Sequence, residues 1–377
     1  MHLAIHLLLC FVAAPQPVLR AQAPSEPAGA PARESIDALL EPVRKQFELP
    51  ALAAAVVVGS NVVAIGATGE RERGSGVAVT VDDLWHLGSC TKAMTATLAG
   101  RLVERGQLKW SSTVGEVFAD RAERIDEAWR GATLEMLLQN RGGAPGAPPQ
   151  DLWRALWKRT DAPHEARAWF VGELLARAPE VPPGSKFVYS NQGYMIAGAM
   201  LERAAGKPWE ELMRLELFAP LGMSSAGFGA PGSVDAIDQP RGHTDKVILP
   251  GPGADNPAAL GPAGTVHCSI GDWAKFAAAH LGGERGVASL VQPETFARLH
   301  RPPPGERYAM GWGREPRPWA GGDVLTHAGS NTMWYSVVWI APEKDCAFVV
   351  VTNCYGDKAR SGTDAAVAAL LERQKLR

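Results

Sequence analysis

Several things are scarce or missing in this 377-residue sequence, and each absence closes off a class of function. It has five cysteines and no C-x-x-C pair, which excludes the usual zinc-knuckle and thioredoxin-type redox readings. The nine histidines are scattered and no H-E-x-x-H occurs, so a metal site has no support. There is no G-x-S-x-G elbow, no Walker loop and no dinucleotide-type glycine loop after a strand. A formal net charge of -2, without long runs of one sign, gives no electrostatic case for nucleic acid or an anionic membrane surface. After the first apolar run, no other is long enough for a membrane span. No internal repeat is visible, and nothing specifies a protein partner or an oligomeric state.

What is present is an ordinary foldable composition, 46% hydrophobic and 21% charged, enough for one large domain or two smaller ones. The chain starts with LAIHLLLCFVAA, an apolar run too short to cross a bilayer comfortably, and a Pro/Ala/Gln-rich stretch follows. Residues 1–23 resemble a secretory signal peptide, with Ala21-Gln22-Ala23 as the cleavage candidate. Residues 24–34 then form a linker and 35–377 the folded part. Export to the periplasm or medium is the expectation. Cys346 and Cys354 bracket one apolar strand and would lie far apart if it is extended. Cys10, Cys90, Cys268, Cys346 and Cys354 read as buried free thiols, with a disulfide among other pairs left open.

Periodicity gives the order of elements. ARESIDALLEPVRKQFELP has a helical stripe of Ile36, Leu39, Leu40, Val43 and Phe47. ALAAAVVVGS and NVVAIGATGERE read as a hairpin turning at Gly59-Ser60-Asn61. A helix with Met94, Leu98 and Leu102 on one stripe follows and stops at Gly106. Residues from about 107 to 285 are mostly helices and long Pro/Gly-rich loops. GGDVLTHAG, TMWYSVVWIAP and DCAFVVVTNC are three returning strands, and a helix closes the chain. The economical fold is α+β: an antiparallel sheet from both chain ends, flanked by terminal helices, with a helical insertion. The site is expected in the cleft between sheet and insertion.

Three short motifs carry possible chemistry. In HLGSCTK, Ser89 and Lys92 lie three apart at a helix start, which places them on one face. Ser89 is either an N-cap or a nucleophile whose base is Lys92. In YSN, Tyr189 is placed to relay a proton and Asn191 to hold Lys92 and a substrate carbonyl, or the loop is simply a helix cap beside a buried aromatic. In HAGS, at a strand end, Gly329 would admit a substrate backbone and the N–H of Ser330 would join that of Ser89 as an oxyanion donor. H-x-G alone is weak, since His86-Leu87-Gly88 and His280-Leu281-Gly282 also match it.

In this order and context the chain resembles the serine β-lactamase and penicillin-recognising enzyme superfamily, in its class C-like branch. That branch includes class C β-lactamases, D-alanyl-D-alanine peptidases, D-aminopeptidases and β-lactamase-like esterases. The resemblance runs over nearly the whole chain after the leader. VTVDDLWHLGSCTKAMTATLAGRLVERGQLKW, PPGSKFVYSNQGYMIAGAMLERAAGKPW, LFAPLGM and GPAGTVHCSIGDWAKF support it. It implies that Ser89 is the acylated nucleophile, Lys92 its base and Tyr189 the proton shuttle. Asn191 would orient Lys92 and the substrate amide, and His327 and Gly329 would line the substrate. The backbone N–H groups of Ser89 and Ser330 would hold the oxyanion, and no metal or organic cofactor would be required.

Two departures bear on the substrate. His327-Ala328-Gly329 stands where the β-lactamases carry Lys-Thr-Gly, so recognition of a penicillin carboxylate should be weakened. Leu138-Gln139-Asn140-Arg141-Gly142-Gly143 stands where the family has a His-Thr-Ser-Gly-like loop. Arg141 is then either a cation near the cleft or a surface arginine in a glycine turn. The expected activity is hydrolysis of a small amide, peptide, β-lactam or ester. The alternative is a ligand-binding or sensor protein of the same fold that acylates slowly or not at all.

Overall fold

The computed structural model describes residues 33–376. The expected signal peptide, its cleavage site and Cys10 lie outside the described residues. Strands run, in chain order, β1 (Glu34–Ser35), β2 (Ala51–Val58), β3 (Asn61–Gly69), β4 (Leu84–His86), β5 (Gly227–Phe228), β6 (Gly242–His243), β7 (Val247–Ile248), β8 (Val266–Ser269), β9 (Gly313–Arg317), β10 (Gly322–Ser330), β11 (Tyr335–Ala341) and β12 (Cys346–Thr352). One sheet takes the order β1-β3-β2-β12-β11-β10-β9. Its neighbours are antiparallel, except that β1 runs parallel to β3. β12 and β2 join the chain ends, with Thr352 opposite Leu52 and Cys346 opposite Val58. The fold is the expected α+β class with a sheet built from both ends.

The central strands explain their own position. Along β2, Ala51, Ala53, Ala55 and Val57 enter one core while Leu52, Ala54 and Val56 enter another. β12 divides in the same way, Ala347, Val349 and Val351 against Phe348 and Val350. A strand with no polar face needs cover on both sides. The helices Asp37–Gln46 and Asp357–Arg373 cover one side, and the helix Ile270–Glu284 the other. The sequence reading puts that last helix at the end of the insertion, but it lies against β2, β3 and β12.

Two further differences have physical reasons. Four strands return, not three, because Gly313–Arg317 forms the outer strand β9. GREPR has no apolar alternation, and a charged, proline-bearing strand belongs at a sheet edge. The helix Thr91–Glu104 is buried on nearly every face, not on one stripe. Its threonines stay satisfied, Thr95 Oγ1 donating across to Pro262 O (2.7 Å) and Thr97 Oγ1 to Ala93 O one turn back (2.8 Å). Among the described residues no helix is long and apolar enough to cross a membrane.

Candidate active site

β4 feeds a single tight turn, Gly88–Cys90, and the helix Thr91–Glu104 follows at once. Ser89 is not its cap: Cys90 occupies that position and no side chain caps the helix. Ser89 Oγ instead accepts a hydrogen bond from Lys92 Nζ at 3.0 Å. Two glycines let the end of β10 lie against this turn. Gly88 has φ +49, and a Cβ there would collide with Ser330 N and stand 2.6 Å from Ser330 Cα. A Cβ on Gly329 would collide with Leu87 O and stand 2.8 Å from Cys90 N. The bare side of Gly329 thus faces the nucleophile turn.

Lys92 is fully buried, yet every hydrogen-bond partner it has is neutral. Besides Ser89 Oγ it contacts Asn191 Oδ1 at 2.7 Å and Ala263 O at 2.8 Å. Its Nζ lies 4.9 Å from the centre of the Tyr189 ring. The two carbonyl oxygens can only accept, so they claim two N–H bonds. The remaining tetrahedral direction faces Ser89 Oγ. An ammonium donates along it, and a neutral amine offers its lone pair to the serine O–H. Asn191 opens the helix Asn191–Ala205, and Ser190 caps that helix by accepting from Gly193 N–H at 3.1 Å.

Tyr189 is 38% exposed and its hydroxyl makes no hydrogen bond with the described residues. Its ring centre lies 6.4 Å from that of His327 and 6.1 Å from that of Tyr308. His327 Nδ1–H donates to Ala328 O (2.7 Å), which leaves Nε2 to accept from Tyr308 O–H (3.1 Å). Burial, and then the Lys92 charge beside it, pushes the His327 imidazole down to about 3. His327 is therefore neutral and offers no cation. Ser330 Oγ turns away, donating to Trp334 O (2.6 Å) and accepting from Thr332 N–H (2.8 Å), so only its backbone faces the turn. β9 pairs β10 only along Gly322–Thr326, so the His327–Ser330 segment has no strand on that edge.

Arg141 forms an ion pair with Glu306 and bonds Gly184 O, tying its loop to the segment that carries Tyr308. It is neither a loose surface arginine nor an unpaired cation. The four described cysteines are free and buried, and burial pushes the Cys90 thiol up to about 12, which leaves it inert. Sequence reasoning missed Ala263, Tyr308, His86 and Asp255. Ala263 acts through a backbone oxygen and Tyr308 lies in a motif-free proline loop. His86 was visible only within an H-x-G match that reads as chance.

The family model "Beta-lactamase" matches residues 36–372. The chain belongs to the beta-lactamase family. It is 28% identical over 336 residues to the Penicillin-binding protein 4 of Amycolatopsis lactamdurans, covering 85% of this chain and 84% of that protein. It is 26% identical over 346 residues to the Unguisins hydrolase ungD of Aspergillus violaceofuscus (strain CBS 115571), covering 82% of this chain but only 59% of that relative. Among solved structures, the octameric penicillin-binding protein homologue from Pyrococcus abyssi shares the fold, with a TM-score of 0.72 at 22% identity, over 89% of this chain and 76% of that one. This beta-lactamase-family chain is a hydrolase of the β-lactamase and penicillin-binding-protein type.

Proposed function

We propose that this protein is an exported serine hydrolase that acylates Ser89 and acts on small esters, amides or peptides, turning over esters faster than cephalosporins. The observation that carries the reading is Lys92 Nζ, 3.0 Å from Ser89 Oγ and held from behind by two carbonyl oxygens. Export rests on the apolar leader alone.

The chemistry runs in two halves. As general base, Lys92 takes the Ser89 proton on its amine lone pair as Oγ attacks the substrate carbonyl carbon. The oxyanion that forms is held by the N–H groups of Ser89 and Ser330, and such donors are worth about 10²–10³ in kcat each. Tyr189, exposed and beside Lys92, passes the proton to the leaving oxygen or nitrogen as the bond to carbon breaks. Water then attacks the acyl-serine along the same path and Ser89 regains its proton.

The substrate preference follows from charge. The groups nearest the strand end are neutral His327, Ala328 and the rings of Phe187, Tyr189 and Tyr308. Arg141 is taken by Glu306. A substrate carboxylate would therefore find no cation on His327 or on Arg141, whereas an uncharged acyl group finds apolar walls.

The test compares kcat/KM on nitrocefin, a short p-nitrophenyl ester and a D-alanyl peptide, for wild type and Ser89→Ala. The reading expects covalent labelling by a fluorophosphonate, turnover lost in Ser89→Ala, and the ester ahead of nitrocefin. Equal turnover by wild type and Ser89→Ala overturns it, and efficient cephalosporin hydrolysis overturns the substrate preference.

A further inference from the structure

His86 lies at the end of β4, fully buried and two residues ahead of the nucleophile turn's first residue. Its Nδ1 accepts a hydrogen bond from Gly88 N–H at 3.1 Å. A backbone N–H can only donate, so Nδ1 carries the lone pair and the ring proton is on Nε2. That Nε2–H donates to Asp255 Oδ2 at 2.8 Å. Asp255 comes from the Pro/Gly-rich loop before the Gly261–Gly264 helix, 7% exposed. Its other oxygen, Oδ1, accepts from Asn331 Nδ2 (3.0 Å) and from Asn256 N–H (2.7 Å). Asn331 follows Ser330 directly. Its own Oδ1 accepts from Met333 N–H (3.1 Å) and Trp334 N–H (3.2 Å), closing the turn in which Thr332 holds φ +74. A β-branched residue keeps such a backbone only when its surroundings hold it there. The ring of Trp334 lies 5.7 Å from that of His86 and packs the assembly shut.

One buried carboxylate thus joins two peptide segments that are far apart in sequence. Through His86 it fixes the Gly88–Ser89 turn, and through Asn331 it fixes the end of β10 at Ser330. We propose that His86, Asp255 and Asn331 are positioning residues that set the spacing of the two oxyanion donors, the N–H groups of Ser89 and Ser330. This rests on the acyl-serine reading above and adds the means by which its oxyanion site is held. All three side chains are buried. Asp255 is the pivot because it alone offers acceptors to both arms. In Asp255→Asn one carboxylate oxygen becomes an amide nitrogen, so one arm meets a donor where it needs an acceptor. His86 can then satisfy the new amide only by moving its proton to Nδ1, where it would oppose Gly88 N–H. A wrong tautomer of this kind disables a site with almost no change in shape.

The experiment pairs p-nitrophenyl acetate with its thiono analogue, in which the carbonyl oxygen is sulfur and accepts hydrogen bonds poorly. For Asp255→Asn, kcat on the oxo ester falls about 10- to 100-fold with KM within about threefold. The oxo-to-thiono rate ratio narrows by a similar factor, because the lost contact is one the thiono substrate never had. Wild-type kcat in Asp255→Asn overturns the proposal, and so does an equal loss on both esters, which marks general loosening. If Asp255→Asn does not fold, His86→Asn replaces it. An asparagine side chain there keeps an acceptor for Gly88 N–H and is too short to reach Asp255, so the ratio must narrow again, and an unchanged ratio overturns the proposal. Ser89→Ala is run alongside. Turnover that survives Ser89→Ala removes the acyl-serine reading itself, whereas loss there with an unaffected Asp255→Asn removes this inference alone.

Discussion

Gly88 and Ser330 touch backbone to backbone, so closely that a side chain on Gly88 would occupy the place of the Ser330 amide. Gly88→Ala faces both that collision and the φ of +49. Stability is expected to fall by about 2–4 kcal/mol, and ester turnover by at least about 100-fold. Urea unfolding and steady-state kinetics check it, and a variant with wild-type turnover would show that the two segments can separate without harm.

Lys92 is buried without a counter-ion. Lys92→Met therefore separates catalysis from stability. Turnover is expected to drop about 10²- to 10⁴-fold, while the unfolding free energy falls by no more than about 1–3 kcal/mol, since removing the buried polar head group offsets part of the cost of leaving Asn191 Oδ1 and Ala263 O without their donor. A large loss of stability in Lys92→Met would mean that its hydrogen bonds hold the fold together.

The charge argument for substrate choice has its own test. A double change, His327→Lys with Ala328→Thr, supplies a cation and a hydroxyl at the strand end. A charge-assisted hydrogen bond is worth about 1.5–3 kcal/mol, so nitrocefin turnover relative to the ester should rise about 10- to 100-fold. An unmoved ratio would locate the preference elsewhere.

Arg167 is fully buried and ion-paired with Glu202 and Glu210, and its Nη1 also donates to Ala259 O at 3.1 Å. Arg167→Ala leaves two partly buried carboxylates without their cation. The expected cost is about 3–5 kcal/mol by denaturant unfolding. A loss below about 1 kcal/mol would mean that water reaches the two glutamates.

Acid should weaken the fold. Burial first of all holds His243, His267, His280, His300 and His327 below the ordinary 6.5. Two of them form a chain, His280 Nδ1 to His300 Nε2 at 2.7 Å and His300 Nδ1 to Glu284 at 2.7 Å, with Arg314 beside Glu284. The unfolded chain takes up these protons near pH 6.5 and the folded chain does not. The unfolded state thus binds more protons below that value, and stability falls as pH drops through 6.5. Melting temperatures at pH 7.5 and 5.5 should show the decline, and replacing His280 and His300 with glutamine should flatten it. A midpoint that does not move with pH contradicts the argument.

What was legible in the sequence followed the periodicities. β2 and β12 stand out because eight- and six-residue apolar runs leave little choice but a covered strand. Ser89 and Lys92 were within reach because their spacing is local, Asn191 because it ends a short motif of its own, and the structure brings the three together. β9 escaped because an edge strand needs no apolar face. Asp255 escaped because a lone acidic residue in a proline-glycine loop has no period and no motif. Its meaning comes from His86 and Asn331, which the chain supplies from far away on either side.

The pairing of β2 with β12 also sets a clock on synthesis. Their partners, such as Val58 and Cys346, are separated by about 300 residues of sequence. A ribosome working at roughly 5–20 residues per second needs about 15–60 s to deliver the second strand after the first. Throughout that interval the β2–β3 hairpin is complete but has one bare, alanine- and valine-rich edge. Such an edge recruits whatever strand comes near. The nascent chain is therefore most exposed to mispairing before its C-terminal strands emerge, and a holding chaperone would have its greatest effect on yield in that window.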